Sequence, residues 1–304
     1  NITYTVKKRV GKEEKFNIKK VISCIQRASA GFEQYIDTQL LLDEVIKSSF
    51  HGISTTNIEE ALVLATTAFI EKDPAYSKVA ARLLLQKLYK EITKKSLSGN
   101  MLKSEYKKAF ITNIKAGVDL KIFTPELLNF DLEKLANTID SERDDLFGYL
   151  GLQTISDRYL IKNEKTKVRL ELPQCFWMRI AMGLALNENN KEEKAIEFYN
   201  VLSTMKFVSS TPTLLHSGLM RPQLSSCFLS TVKDDLHEIF KAFSDNANLA
   251  KWSGGVANDW TNIRATGALI NTIKVESQGL IPFIKIASDT TAAINRSGKR
   301  RGAA

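Results

Sequence analysis

Cys227 is the side chain of this sequence best suited to redox or nucleophilic chemistry. It follows Ser226 in a segment rich in small hydroxyl side chains, SSTPTLLHSGLMRPQLSSCFLS. A thiol reacts where it is accessible and where a neighbouring group tunes or uses it. A lone cysteine beside serines is more often a small apolar core residue. The residue types alone therefore leave a redox thiol and a structural cysteine both open.

A second segment, VKKRVGKEEKFNIKK, could bind phosphate. Its basic side chains surround a turn at Gly11 and precede a helix that begins near Asn17. Lysine and arginine supply charge-assisted hydrogen bonds, and a helix N-terminus favours an anion. The segment lacks the G-x-x-x-x-G-K-[ST] pattern of a P-loop. By chemistry alone, a solvated basic hairpin is favoured over a nucleotide site.

A third set of residues could hold a nucleotide between loops: KDDLHEIF, NIRATGALINTIK and the basic stretch NRSGKRRGAA. A carboxylate can accept hydrogen bonds from ribose hydroxyl groups, and Arg264 can clamp a phosphate. The alternative is a solvated helix N-terminus, where acidic side chains are favoured by the helix dipole.

The charge of the chain limits its partners without identifying them. The formal net charge is +9, from 43 Lys and Arg against 34 Asp and Glu. Such an excess suits nucleotides, nucleic acid or acidic protein surfaces, and it also suits a solvated surface without a partner. Nonspecific nucleic-acid binding would predict a steep salt dependence, and we do not favour it.

The cysteines and the apolar runs indicate a cytoplasmic protein. The three cysteines form no C-x-x-C pair, so we expect neither a zinc site nor a disulfide framework. No apolar run approaches the roughly 18 residues of a membrane span. The first residues lack the apolar core of a signal peptide. We therefore expect no membrane contact and no metal ligands in this chain.

Hydrophobic periodicity predicts the elements that must position these segments. Residues 1–95 predict a short strand near Val6, a basic turn and four helices. Residues 96–128 are interpreted as a connector with some helix, and a mostly helical stretch follows to Leu202, interrupted at Gly148, at Gly151 and at 162–167. After Lys206, short apolar pieces alternate with turns, and two helices are expected over 235–251 and 280–294.

The N-terminal segment resembles the opening of an ATP-cone domain. The resemblance rests on VKKRVG, on a helix that begins near Thr55, and on the final helix AARLLLQKLYK. It implies a short β-hairpin plus four helices, with ATP or dATP as effector. Glu59 stands where some relatives place a histidine. The residues implied to contact the nucleotide are Lys8, Arg9, Glu14, Asn17, Lys20, Thr55 and Lys90.

The segments TPTL, RPQLSSCFL and KDDL are similar to ribonucleotide reductase large subunits around their first redox cysteine. The resemblance implies that Cys227 is one thiol of a pair that delivers two electrons to the sugar. Thr211 and Ser226 would bind the substrate, and Gly255 would let the backbone approach it closely. Cys24 and Cys175 are interpreted as structural.

The same resemblance implies a specificity site for deoxynucleoside triphosphates. It lies at two loops, 268–272 and 295–302, of which the second passes between effector and substrate. The residues carried over to this site are Asp235, Leu236, Arg264, Ala268, Leu269, Arg296 and Ser297.

The resemblance implies an α/β fold with three regions. Residues 1–95 would be the ATP-cone, 96–205 a mainly helical reductase domain, and 206–304 the start of a ten-stranded α/β barrel. It implies reduction of ribonucleoside diphosphates to 2′-deoxyribonucleotides, regulated by ATP, dATP and other dNTPs with Mg²⁺. We expect this chain to hold no cofactor of its own.

The partners implied are a second large subunit, a metal-containing small subunit that supplies the radical, and thioredoxin or glutaredoxin. The family's radical cysteine, second redox cysteine, tyrosine relay and shuttle cysteines have no counterpart in this sequence, so we expect the fragment to be inactive alone. The alternatives are an adenosylcobalamin-dependent reductase and a non-catalytic nucleotide-sensing regulator with an ATP-cone.

Overall fold

The fold, taken from a computed structural model, is described for residues 4–9, 11–97, 99–252, 254–294 and 303. The chain forms two compact units. The first comprises residues 1–208 with 218–220, and the second comprises 209–217 with 221–304. Within the described residues, no helix is both long and apolar enough to cross a membrane.

The first unit begins with a small sheet and four helices, as predicted. Strands β1 (Thr5–Lys7) and β2 (Glu13–Lys15) form an antiparallel hairpin with Val6 opposite Glu14. The turn between them contains Gly11 at a φ of 83°, which suits a residue without Cβ. The helices are α1 (Ile18–Ala28), α2 (Thr38–Lys47), α3 (Thr55–Thr67) and α4 (Ala75–Thr93).

Strand β3 (Ile53–Ser54) was not predicted, and it pairs in parallel with β1. Two residues are too few to show an alternating pattern in the sequence. Ser54 also caps α3, because its side chain accepts a hydrogen bond from the Asn57 N–H. The helix therefore begins one residue after the strand, and Thr55 is its first residue.

The rest of the first unit is helical. Its helices are α5 (Gly99–Asp119), α6 (Leu132–Thr138), α7 (Tyr149–Thr154), α8 (Pro173–Ala185) and α9 (Lys191–Ser203). A π-helical stretch, Ile155–Tyr159, continues α7. The interpretation of 96–128 as a connector was wrong over most of its length, because α5 spans 21 residues.

The reason for α5 lies in three side chains. Tyr106, Phe110 and Ile114 are spaced by four residues and are all buried, so they form one apolar stripe in an otherwise basic segment. The break expected at Gly151 was also wrong, since this glycine lies inside α7, whereas Gly148 directly precedes that helix as its N-cap residue.

A buried polar cluster joins α4 to the helices that follow it. The carboxylate of Asp144 accepts hydrogen bonds from the hydroxyl groups of Tyr89 (2.6 Å) and Tyr106 (2.6 Å). It also accepts one from the side-chain amide of Gln174 (2.9 Å). Tyr89 directly precedes Lys90, so the last turn of α4 is tied to α5 and α8 through one carboxylate.

The second unit contains α10 (Thr211–His216), β4 (Cys227–Thr231), α11 (Leu236–Lys251), β5 (Gly255–Asp259), β6 (Leu269–Ile270), β7 (Val275–Glu276) and α12 (Ile281–Ile294). Strands β4 and β5 are parallel, with α11 as the connection between them. Parallel neighbours require such a crossover. Over the residues described, this is the beginning of an α/β barrel, without closure.

Candidate functional site

A cavity of about 160 Å³ lies among the hairpin, α1, α3 and α4. Five of the seven residues that the sequence implied for the nucleotide line it: Glu14, Asn17, Lys20, Thr55 and Lys90. The other two, Lys8 and Arg9, reach carboxylates that also line the cavity. The structure thus brings all seven residues to one place.

The polar side of this cavity consists of four cations around two carboxylates. Glu14 pairs with Lys8 (2.7 Å) and Lys20 (2.8 Å). Glu59 pairs with Arg9 (2.7 Å) and Lys90 (2.7 Å). Four positive side chains around two negative ones give this side of the cavity a net positive charge, which favours an anionic ligand.

Ion pairing keeps Glu14 ionised. Hydrogen bonds from Lys20 and Lys8 lower the pKa of its carboxyl group from 4.5 to about 2. A carboxylate with a lowered pKa holds its ion pairs above its ordinary pKa and loses them only as the pH falls through the lowered value. Glu14 therefore remains a negative charge of the cavity throughout the neutral range.

The other side of the cavity is apolar. Phe16, Val21, Ile58 and Leu62 line it, together with Cys24. Sequence patterns did not assign these residues to a site, because apolar side chains at helical spacing are ordinarily core residues. An apolar wall beside a basic cluster suits a molecule with a flat ring at one end and phosphates at the other.

The start of α1 adds to the positive character of the cavity. Asn17 caps this helix, because its side chain accepts a hydrogen bond from the Lys19 N–H (3.0 Å). The backbone N–H groups of a first helical turn attract anions. Lys20 lies in this turn, so the helix dipole and a cation point to one binding region.

A second cavity, of about 220 Å³, lies between the α3–α4 pair and α7. Glu60 and Lys87 line it and form an ion pair of 2.9 Å. Glu60 directly follows Glu59, and Lys87 lies three residues before Lys90. They provide the same residue types in a different environment of the same helices.

Cys227 is exposed at the first position of β4. Its Sγ atom lies 3.5 Å from the Ser226 Oγ atom. Gly255 lies directly opposite in β5, and its N–H donates to the Ser226 carbonyl (2.9 Å). The three residues that the sequence implied for thiol chemistry at this strand are therefore neighbours.

The two glycines of this region differ in their surroundings. A Cβ atom on Gly255 would lie 3.8 Å from the Cys227 Sγ atom and 3.5 Å from the Ser226 carbonyl, which are ordinary contacts. A Cβ atom on Gly254 would lie 2.7 Å from the ring of Phe228. Packing requires the glycine at 254, whereas packing alone does not require the one at 255.

Thr211, also implied to bind substrate, is the first residue of α10. This helix is held to the segment that leads to Cys227. Thr213 Oγ1 donates to the Leu224 carbonyl (3.3 Å), and His216 Nδ1 lies 2.9 Å from the Gln223 carbonyl.

Three of the seven residues implied for the specificity site, Asp235, Leu236 and Arg264, line a cavity of about 420 Å³. Asp235 caps α11, accepting hydrogen bonds from the His237 and Glu238 N–H groups. Asp234, which the sequence analysis did not single out, pairs with Arg264 at 2.8 Å.

The loop residues of this site are described in part. Leu269 begins β6, and its carbonyl accepts a hydrogen bond of 3.4 Å from Arg264. Ala268 precedes it, and its carbonyl accepts from the Ser277 N–H (2.9 Å). Arg296 and Ser297 lie outside the described residues.

Comparison with known families matches three parts of the chain. Residues 4–91 match the ATP cone domain. Residues 145–222 match the all-alpha domain of ribonucleotide reductase, and residues 225–304 match its barrel domain. The first match contains the basic cavity, and the last contains Cys227.

Curated relatives are similar over nearly the whole chain. The ribonucleoside-diphosphate reductase subunit alpha of Chlamydia muridarum is 46% identical over 302 residues, which are 99% of this chain and 29% of that protein. The subunit alpha of Helicobacter pylori is 36% identical over 300 residues, 98% of this chain and 37% of that protein. The large subunit of Arabidopsis thaliana is 31% identical, covering 98% and 36%. The chain spans about a third of the length of these relatives.

Proposed function

We propose that this chain, which matches the ATP cone domain and the all-alpha and barrel domains of ribonucleotide reductase, is part of a ribonucleotide reductase large subunit and acts in the reduction of ribonucleoside diphosphates to 2′-deoxyribonucleotides. In this reaction the 2′-hydroxyl group leaves as water and a hydrogen takes its place. Two cysteine thiols supply the two electrons and become one disulfide.

Cys227 carries this proposal. A thiol that reduces a sugar must be reached by the substrate, and Cys227 is exposed at the start of β4 within the segment that matches the reductase barrel. Ser226 and Gly255 beside it would bind the substrate through a hydroxyl group and a closely approaching backbone. Thr211 would bind the substrate from the start of α10.

Cys175 suits a structural role. Cys175 is buried in α8, and burial raises the pKa of its thiol well above the ordinary value. Such a thiol is inert. We assign the second redox thiol and the radical cysteine to the part of the large subunit that this chain does not cover in its relatives.

The proposal is tested by replacing Cys227→Ser in the complete large subunit, assayed with its small subunit and thioredoxin. We expect loss of repeated turnover, because serine cannot form the disulfide. Cys175→Ala, which also removes one thiol, should keep turnover. Undiminished multiple turnover by Cys227→Ser would contradict the assignment.

We propose that the cavity of the ATP cone binds ATP and dATP as effectors of overall activity. The cationic side would hold the phosphates and the apolar side the base. Mg²⁺ prefers phosphate oxygens with few protein ligands, so it would enter with the nucleotide. The cavity beside Asp235 and Arg264 would bind a deoxynucleoside triphosphate that selects the substrate, with Leu236, Ala268, Leu269, Arg296 and Ser297 completing the site.

A homodimer is proposed from the exposed apolar residues of the second unit. Leu236 and Phe240 of α11 and Ile281 and Ile284 of α12 are large apolar side chains with substantial exposure. Helices α11 and α12 pack against each other. Apolar residues exposed together on neighbouring helices are typical of a surface that pairs with another protein, and α11 begins at the specificity cavity. The small subunit that supplies the radical and the thioredoxin or glutaredoxin that reduces the disulfide complete the proposed partners.

The alternatives receive less support. The relatives are named ribonucleoside-diphosphate reductases, with subunits called alpha or large, which does not favour the adenosylcobalamin-dependent class. A nucleotide-sensing regulator would need the cone, but the two reductase domain matches would then have no purpose. A basic net charge alone does not favour a nucleic-acid ligand.

A further inference from the structure

We propose that Glu59 determines which charge form of a nucleotide the cone cavity accepts, favouring the Mg²⁺ complex over the free triphosphate. The inference rests on the proposed nucleotide binding by this cavity. It concerns a residue that the ATP-cone resemblance did not assign to the ligand.

Both carboxylate oxygens of Glu59 are engaged by cations. Oε2 lies 2.7 Å from Arg9 Nη2, and Oε1 lies 2.7 Å from Lys90 Nζ. Glu59 thereby connects the hairpin turn to the last turn of α4. Its side chain is 22% exposed, and those of Arg9 and Lys90 are 32% and 23% exposed. A phosphate group that binds Arg9 and Lys90 would have the same two cationic partners as this carboxylate.

A phosphate must therefore compete with Glu59. Arg9 and Lys90 can meet the nucleotide only if they leave the carboxylate or share it. In either case the negative charge of Glu59 remains close to the phosphates. The carboxylate and the phosphates repel each other because both are negative, and the partial burial of Glu59 weakens the screening of this repulsion by water.

The charges of the cavity match one nucleotide form better than the other. Lys8, Arg9, Lys20 and Lys90 face Glu14 and Glu59, which leaves an excess of two positive charges. A free triphosphate carries roughly four negative charges and its Mg²⁺ complex roughly two, since a bound ion contributes its own charge. The cavity thus balances the metal complex and leaves the free nucleotide with uncompensated charge.

Removing the charge of Glu59 has a definite consequence. The interaction energy of two groups scales with the product of their charges. One additional positive charge in the cavity therefore favours both nucleotide forms, and it favours the free form more. The affinity ratio between the two forms should change, which a purely structural role of Glu59 does not predict.

The experiment is calorimetric titration of the 304-residue chain with dATP, once with excess Mg²⁺ and once with EDTA at equal ionic strength. Every protein tested carries Arg264→Gln, so that the second proposed nucleotide cavity does not contribute. Glu59→Gln keeps the shape of the side chain and removes its charge. We expect it to raise the affinity about threefold with Mg²⁺ and about tenfold with EDTA. Glu59→Ala, which leaves no amide at this position, should likewise gain more affinity with EDTA than with Mg²⁺.

Glu60→Gln is the matched control. It makes the same change of charge one residue away, at a side chain that pairs with Lys87 and lines the other cavity. We expect its affinities to stay within about twofold of the wild type, because the charge it removes lies outside the nucleotide cavity. Circular dichroism verifies that each variant is folded.

Three results would overturn the role of Glu59 while leaving nucleotide binding intact. Weaker binding by Glu59→Gln under both conditions would make Glu59 a direct contact of the base or ribose. Weaker binding with Mg²⁺ alone would make it a metal ligand. Equal gains under both conditions would remove the selection between charge forms. If folded wild type and all variants fail to bind dATP, the proposed function of the cavity fails instead.

Discussion

Lys90 and Lys87 lie one turn apart on α4 but belong to different cavities. Lys90 pairs with Glu59 in the cone cavity, and Lys87 pairs with Glu60 in the other. We predict that Lys90→Gln weakens dATP binding about tenfold or more, because a charge-assisted contact with phosphate is lost. Lys87→Gln removes the same charge and should change binding less than about twofold. Calorimetry of both variants measures the difference, and equal losses would contradict the assignment of Lys90.

Gly254 and Gly255 are also neighbours with different expected effects. A Cβ atom at 254 meets the ring of Phe228 at 2.7 Å. We predict that Gly254→Ala destabilises the folded chain by about 1–3 kcal/mol, since overpacking displaces neighbours. Gly255→Ala should cost less stability but weaken substrate binding in the complete subunit. Urea denaturation and substrate titration measure the two effects, and the reverse order of stabilities would contradict this account.

Sequence resemblance brought together residues of the cone site that residue chemistry could not. Asn17, Thr55 and Lys90 are far apart in the chain, and only known cone patterns connect them before the fold is seen. The pairing of Glu59 with Arg9 and Lys90 could not be predicted, because it depends on the side-chain geometry of three elements. Asp234 was missed for a similar reason, since two adjacent aspartates look equivalent until one caps a helix and the other pairs with an arginine.

At the scale of elements, the Asp144 cluster connects the nucleotide cavity to the helical region. Burial raises the pKa of Asp144 from 3.8 to about 6, against the lowering effect of hydrogen bonds from Tyr106, Tyr89 and Gln174. The folded chain therefore binds a proton at this site more readily than the unfolded chain does. Stability from this group is full below about pH 4 and is lost as the pH rises to about 6.

The loss of this stability with rising pH gives a prediction for Asp144→Asn, whose side chain cannot titrate. Relative to this variant, the wild type should lose on the order of 2–3 kcal/mol of unfolding free energy between about pH 4 and pH 7. Urea denaturation at both pH values measures the difference. A difference that stays constant with pH would contradict the buried, titrating carboxylate.

The elements were predicted best where apolar periodicity was long and uninterrupted. Helices α11 and α12 begin within one residue of the expected positions, and α9 ends one residue after Leu202, where the helical stretch was expected to end. The length of helix α5 was underestimated, as a connector with some helix, because its lysines and serines suggested a connector, although Tyr106, Phe110 and Ile114 form its apolar stripe. Strand β3 depends on pairing with β1, which is a tertiary interaction.

At the scale of the whole molecule, the apolar residues of α11 and α12 predict self-association. Ile284 is 43% exposed on α12. We predict that Ile284→Glu shifts the complete subunit toward monomer, because burying a charge in an apolar interface is costly. Analytical ultracentrifugation over a concentration series measures the shift. Lys285→Glu, a change of charge at the next residue, is a comparison variant, and an unchanged dimer in Ile284→Glu would contradict the interface.

We propose that the N-terminal cavity of this chain binds adenine nucleotides as the regulatory part of a reductase. The most direct test of this binding is thermal unfolding of the 304-residue chain with millimolar dATP and Mg²⁺. A ligand that binds only the folded state stabilises it, so we predict a saturable rise of about 3–6 °C in Tm. The rise should be smaller in the Arg9→Gln, Lys90→Gln double variant, which retains only the stabilisation from the cavity beside Asp235 and Arg264. An unchanged Tm of the folded wild type at saturating dATP would contradict the account.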